Sequence, residues 1–281
     1  MRRLVFRALP ALAACVGFAA DPRASWAPVY SQATVLNLGS GKAGELAPNC
    51  LAVIYGENLS SATVSRLEAA PASKLMPTSL PGAGVSVKVN GLLAGLEYAS
   101  PNAVVFVIPP ELVPGPARIV LTRNSLNGPT VQVQLREAAP SLLPLDAGWA
   151  MARRADTLEW LAEGQTARPG EEVILYGTGW GALLRQPLNL LIPDSLNELR
   201  ARSAVRVVLE GMEAEPDRIL YAGAAPGAPG IYQIRFVLPE WSGPDPEIRV
   251  AIGDRLTQPG LRLRVAAAPP QPPGERLRFT Q

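Results

Sequence analysis

Apolar and polar positions alternate over short runs along most of the chain, and Gly, Pro, Asn and Ser separate the runs. Val85-Ser86-Val87-Lys88-Val89 places apolar side chains on one face and polar ones on the other. It stops at Asn90-Gly91, a pair suited to the left-handed conformations of a tight hairpin turn. The pattern predicts a strand there, with residues 96–98 as its return strand. Residues 34–38, 118–121, 131–135, 205–209, 248–252 and 261–265 read as further strands, and residues 149–154 with 158–161 as a hairpin. Residues 104–108 are apolar without a break, which predicts a strand covered on both faces. A helix is expected only over residues 193–202, where Ser195 and Glu198 have the spacing of a capping box.

The strands recur in order. Residues 47–59, A-P-N-C-L-A-V-I-Y-G-E-N-L, return in residues 168–181, R-P-G-E-E-V-I-L-Y-G-T-G-W-G, with Pro48 and Pro169, Tyr55 and Tyr176, and Gly56 and Gly177 offset by 121 (177 − 56). Val85 to Gly91 returns as Val205 to Gly211, offset by 120 (211 − 91), and residues 104–109 return as 234–239, offset by 130 (239 − 109). The offset grows across the longer loop 223–230 of the second copy, as expected where insertions cost little. Many short strands in two similar sets predict an all-β chain of two tandem immunoglobulin-like β-sandwiches, residues 34–138 and 140–266. The Pro-rich tail, residues 267–281, is expected to be disordered.

The composition removes several chemistries. Histidine is absent, so no imidazole base or ligand is available. A net charge of +2 gives no electrostatic footprint for nucleic acid. Gly39 to Gly44 spells G-x-G-x-x-G, but Pro48 and a strand follow where a dinucleotide site needs a helix, so these residues read as a loop. Glu171 and Glu172 are adjacent on a strand, point to opposite faces and cannot flank one substrate. The aspartates form no calcium loop, and no nucleophile elbow is present. We therefore expect no catalytic residue, no metal site and no cofactor.

The first residues have the form of an export signal over residues 1–20. Arg2, Arg3 and Arg7 precede the apolar run 8–20, which is shorter than the ~20 residues of a spanning helix. Leu12-Ala13-Ala14-Cys15 also spells a lipoprotein processing box, so attachment through Cys15 is the alternative. Cys50, inside an apolar strand, reads as a small core residue rather than a nucleophile.

The recurring Tyr55, Tyr176, Tyr98 and Tyr221 are expected to pack, as are Trp149 and Trp160. Trp180, behind two glycines at a strand end, and Trp241, in a Pro-flanked loop, are the candidate binding residues. An exposed indole offers a flat face to a sugar ring or a partner surface; the alternative is that each caps one end of its sandwich.

These phrases, with Tyr221-Ala222-Gly223-Ala224-Ala225-Pro226-Gly227 and Gly230-Ile231-Tyr232-Gln233-Ile234, resemble a family of secreted acidobacterial proteins from Solibacter-type genomes. Members often form the C-terminal part of larger exported proteins. The resemblance covers residues 35–265 and implies repeats of the IPT/TIG-like immunoglobulin type, together with export. It implies no activity. The chain departs from the family pattern at Asn49, which replaces a glycine, and at Trp180, which stands where a small or aliphatic residue is usual. The expected function is a non-catalytic exported module that binds a polysaccharide, an envelope component or a protein. A periplasmic chaperone-like factor, with Arg153-Arg154 as its cleft basic pair, and a structural spacer are the alternatives.

Overall fold

The computed structural model describes residues 26–69 and 73–267. The export signal, Cys15 and residues 268–281 of the tail lie outside the described residues. The fold is all-β, two antiparallel sandwiches in succession.

In the first sandwich one sheet runs in the order Val35–Asn37, Leu51–Tyr55, Ala103–Val107, Gly95–Ala99, Val64–Ser65. The facing sheet runs Val131–Leu135, Gly115–Arg123, Val85–Val89, Leu92–Leu93. The second sandwich repeats the plan. One sheet holds Ser141–Leu142, Glu172–Thr178, Tyr232–Val237 and Ile219–Ala224, and the other holds Met212–Glu213, Val205–Leu209, Ile248–Ile252 and Arg255–Leu256. Each has its own core. Ala52, Ile54, Val85, Val87, Phe106 and Ile119 meet in the first, and Val173, Leu175, Val207, Ile234, Phe236 and Val250 in the second. The inward residues are alternate ones along each strand, which is what period-two patterning requires.

Two expectations fail on partners that a local pattern cannot see. Residues 96–98 do not return along Val85–Val89. Leu92–Leu93 closes that hairpin around Asn90 (φ 49°) and Gly91 (φ 85°), and Gly95–Ala99 crosses to the other sheet. The crossing needs Gly95, because a Cβ there would collide with the Met76 side chain. Residues 193–202 form no helix. Leu199 N donates to Ala222 O (2.9 Å) and Ala224 N donates to Asn197 O (2.9 Å), so this segment lies along the edge of Ile219–Ala224 and satisfies its backbone there. A 3-10 turn follows at Arg202–Ala204.

The unbroken apolar run of the first sandwich has a specific cause. Val104 and Phe106 face the first core. Val105 and Val107, on the other face, pack with Leu51, Met76, Leu190, Ile192 and Ile231. The last three belong to the second half of the chain, so the outer face of this strand is where the two sandwiches meet.

Candidate functional site

The junction is built from the end of the strand Glu172–Thr178. Gly177 lies under the Trp180 ring and beside the Ser141 carbonyl, where a Cβ would collide with both. Gly179 (φ 73°) and Gly181 (φ 100°) turn the chain in conformations that disfavour any other side chain. The turn folds Trp180 back under its own strand. Its Nε1 donates to Ser141 O at 3.2 Å, and its ring lies 5.9 Å from that of Tyr232. Tyr232 is buried. Its hydroxyl donates to Gly181 O (2.7 Å) and accepts from Asn49 Nδ2 (3.1 Å) of the first sandwich, and burial holds its pKa well above the phenol range.

Thr178 carries the junction across. Its Oγ1 accepts a hydrogen bond from Leu51 N (2.8 Å) and donates one to Gly230 O (2.6 Å), so one buried hydroxyl serves both halves of the chain. Asn37, fully buried, does the same for the linker. Its Oδ1 accepts from Gly39 N (2.9 Å) and Ser141 Oγ (2.7 Å), and its Nδ2 donates to Glu45 O (2.9 Å) and Ala139 O (3.0 Å). Gln258 Nε2 donates to Gly39 O (3.1 Å) and Leu142 O (2.7 Å). A hydrogen bond whose loss strands a buried partner costs about 1–3 kcal/mol, so these contacts resist opening of the junction. Cys50 beside Thr178 is a buried free thiol, its pKa pushed up to about 12 by burial.

A two-lobed groove lies against this joint. The larger lobe, about 790 Å³, is lined by Asn49, Leu112, Gly181, Arg200 and Arg255 among others, with Trp180 and Tyr232 in its wall. The smaller, about 300 Å³, lies along the segment from Arg185 to Asn197 and shares Asn49, Pro110, Leu183, Gln186 and Pro187 with the first. Among the described residues Glu137, Arg200, Asp254 and Arg255 line the larger lobe with their charged groups in no ion pair. No group of three or more His, Cys, Asp or Glu among the described residues is placed to hold a metal, and no helix there is long and apolar enough to cross a membrane.

The two candidate indoles do not share a site. Trp180 is 1% exposed and presents no stacking face to solvent, because the Gly-x-Gly turn folds it inward. Trp241, 38% exposed, lies past the other end of Tyr232–Val237, a strand of roughly 17 Å. Trp160 is largely exposed and stacks near Tyr176, with ring centroids 5.6 Å apart, and Arg153 lies over both rings. Trp149 carries Arg264 at 4.0 Å from its ring centre. Arg154 bonds Glu159 (3.2 Å) and Glu171 (3.3 Å), and neither Arg153 nor Arg154 lines the groove. The repeated tyrosines divide: Tyr176 and Tyr221 are buried, Tyr98 is half-buried and Tyr55 is exposed.

Reading the sequence missed Asn37, Asn49, Thr178 and Gln258. A signal existed for Asn49. It occupies the place of Gly170 in the repeat, offset by 121 (170 − 49), and both have positive φ, 58° and 83°. Asparagine is among the residues that tolerate this conformation best after glycine.

No family model and no curated protein matches the chain. Several solved structures are similar to it. One is the Bacteroides ovatus mixed-linkage glucan utilization locus SGBP-B in complex with mixed-linkage heptasaccharide (12% identity, 79% of this chain and 43% of that one, TM-score 0.31). Others are domains 5–6 of the S-layer protein SbsC (12% identity, 86% and 100%, TM-score 0.27) and the tandem Ig repeats of Dlar (9% identity, 79% and 91%, TM-score 0.22). The chain spans less than half the length of the SGBP-B chain it matches.

Proposed function

We propose that this protein is an exported, non-catalytic binding module that takes a polysaccharide chain in the groove between its two sandwiches. The observation that carries the proposal is the lining of the larger lobe, where two guanidinium groups and two carboxylates stand without ion-pair partners. Together they supply donors and acceptors in the mixture that vicinal hydroxyls use, on walls that the junction holds in place. A net-neutral pair of pairs suits an uncharged polymer better than a polyanion or a polycation. Trp180 serves this site from behind. Its indole fixes the turn that positions Gly181 and the Tyr232 hydroxyl, and it touches no ligand. Trp241, at the far end of the second sandwich, offers a partly exposed indole as a secondary stacking contact.

The test is calorimetric titration with soluble neutral polysaccharides (a mixed-linkage β-glucan, a xyloglucan, an arabinoxylan), with polygalacturonate as the acidic comparison. Binding of a neutral polymer, weakened at least tenfold in Arg200→Ala/Arg255→Ala and less than threefold in Trp241→Ala, supports the reading. Binding that survives the double substitution unchanged, or binding of none of these polymers, contradicts it.

A further inference from the structure

The segment from Gln186 to Pro193, Q-P-L-N-L-L-I-P, contains no charged residue and lies across the first sandwich. Backbone bonds pin it there: Met76 N to Leu190 O (2.7 Å) and Ile192 N to Lys74 O (3.0 Å). Asn189 adds two contacts, its Nδ2 to Leu93 O (3.0 Å) and its N to Glu111 Oε1 (2.6 Å). Alternation then divides the leucines. Leu190 and Ile192 turn into the cluster between the sandwiches, and Leu191 and Leu188 are left outside, Leu188 with 67% of its surface in solvent. Leu75, bridged to Leu191, and Leu93, bonded through Asn189, are exposed beside them.

We infer that this leucine surface is a self-association interface, at which a second copy of the chain docks about a two-fold axis. Four exposed leucines on and beside this pinned segment offer on the order of 400 Å² of apolar surface, within the range of the largest patch on a typical monomer, which is often functional. A stable interface buries about 800 Å² per partner, so an apolar centre of this size needs a polar rim of similar area. The rim is present and carries both signs: Lys74 and Arg185 on one hand, Glu111 and Asp194 on the other, none of them in an ion pair among the described residues. In a two-fold contact each residue meets the partner's surface reciprocally, so a rim with both signs is self-complementary. A lipid surface would instead be met by a basic rim with interfacial aromatics, and this rim is balanced and its centre aliphatic. Arg185, Leu188, Leu191 and Asp194 also line the smaller lobe of the groove, so a docked second copy covers that lobe and leaves the larger one open to the proposed ligand.

Sedimentation velocity of the purified protein from 1 to 100 µM tests it. We expect a concentration-dependent shift from monomer to dimer, abolished in Leu188→Glu/Leu191→Glu, whose thermal midpoint at 1 µM, where the protein is monomeric, stays close to that of the unaltered protein because the two side chains are 67% and 45% exposed there. Lys74→Glu and Asp194→Lys should each weaken the dimer at least fivefold, and the two together should restore it. A monomer throughout the range, or a dimer that persists in the double-glutamate variant, overturns the inference. So does co-sedimentation of a monomeric protein with phosphatidylcholine or phosphatidylglycerol vesicles that the double-glutamate substitution removes, since that would assign the surface to lipid.

Discussion

The strands Leu51–Tyr55 and Glu172–Thr178 begin from the same pattern and end differently. In the first copy Gly56 lies under the Val29 carbonyl, Glu57 exchanges backbone hydrogen bonds with Val29, Asn58 turns the chain at φ 56°, and Leu59 fills the first core. In the second, Gly177 lies under Ser141, Thr178 bonds the other sandwich, Gly179 turns the chain at φ 73°, and Trp180 takes the place of Leu59, offset by 121 (180 − 59). One turn plan serves both. The second copy differs by a hydroxyl, which bonds Leu51 of the first sandwich, and an indole N–H, which bonds Ser141 in the first strand of its own sandwich. A strand end that closes a domain in one copy has become, through the Thr178 hydroxyl, part of the joint between domains in the other. The outer face differs as well. Tyr55 is 47% exposed, whereas Tyr176 is covered by Arg153, Trp160 and Leu143 to 6%.

The largest expected effect is at Trp180, in the second core beside the joint. Trp180→Ala should destabilise the protein by about 4 kcal/mol, because it leaves a cavity and frees the buried Ser141 carbonyl. Trp180→Leu, which imitates the first copy, should recover about half of that loss. Chemical denaturation of the two variants beside Leu59→Ala measures both.

Next come the ion pairs, where the copies differ in burial. Arg66, 8% exposed, bonds both oxygens of Glu97 (2.9 and 3.0 Å) in the first sandwich, whereas Arg235 and Glu172 form a pair that is only part-buried in the second. Arg66→Met should cost about 3 kcal/mol and Arg235→Met under about 1. Burial raises the Glu97 pKa above the ordinary 4.5, with Arg66 pulling against it. The folded state therefore keeps this proton to higher pH than the unfolded chain. Its contribution to stability is fully present below the unfolded value and is lost as pH rises through the raised one. Glu97→Gln should flatten the stability profile in that interval, and thermal midpoints measured across pH would show a change there if the assignment holds.

Thr178→Val should cost about 2 kcal/mol, since it leaves Leu51 N and Gly230 O without their buried partner, while Glu57→Val at the matching place should cost about 0.5 at most. The smallest effect is kinetic. The Cys50 thiol, held at about 12, should resist alkylation in the folded protein at pH 8 and react on denaturation, which mass spectrometry of its peptide would report.

The sandwich plan was legible because each strand writes its own period. Val85–Val89 and Val205–Leu209 show their buried faces residue by residue, and Asn90-Gly91 shows its turn. The joint was not legible because the bonds that cross it run between residues more than a hundred positions apart. Nothing local distinguishes the Thr178 hydroxyl, which bonds Leu51, from one that meets water. The reading of Trp180 as an exposed contact, one of the two open from the sequence, rested on the glycines around it. Those same glycines make room for the ring to fold inward, so the feature that suggested display is the one that permits burial. The expected helix over residues 193–202 failed for a related reason: a capping box predicts a helix only where no strand edge competes for the same backbone groups.

Thr178, the Asn49–Tyr232 bond and the bonds around Asn37 hold the two sandwiches together as one cooperative unit. Differential scanning calorimetry of the protein tests it directly. A single endotherm is expected, its calorimetric and van 't Hoff enthalpies in agreement and the whole transition shifted by Thr178→Val. Two separable endotherms, one of them untouched by Thr178→Val, would show that the sandwiches unfold independently and would contradict it.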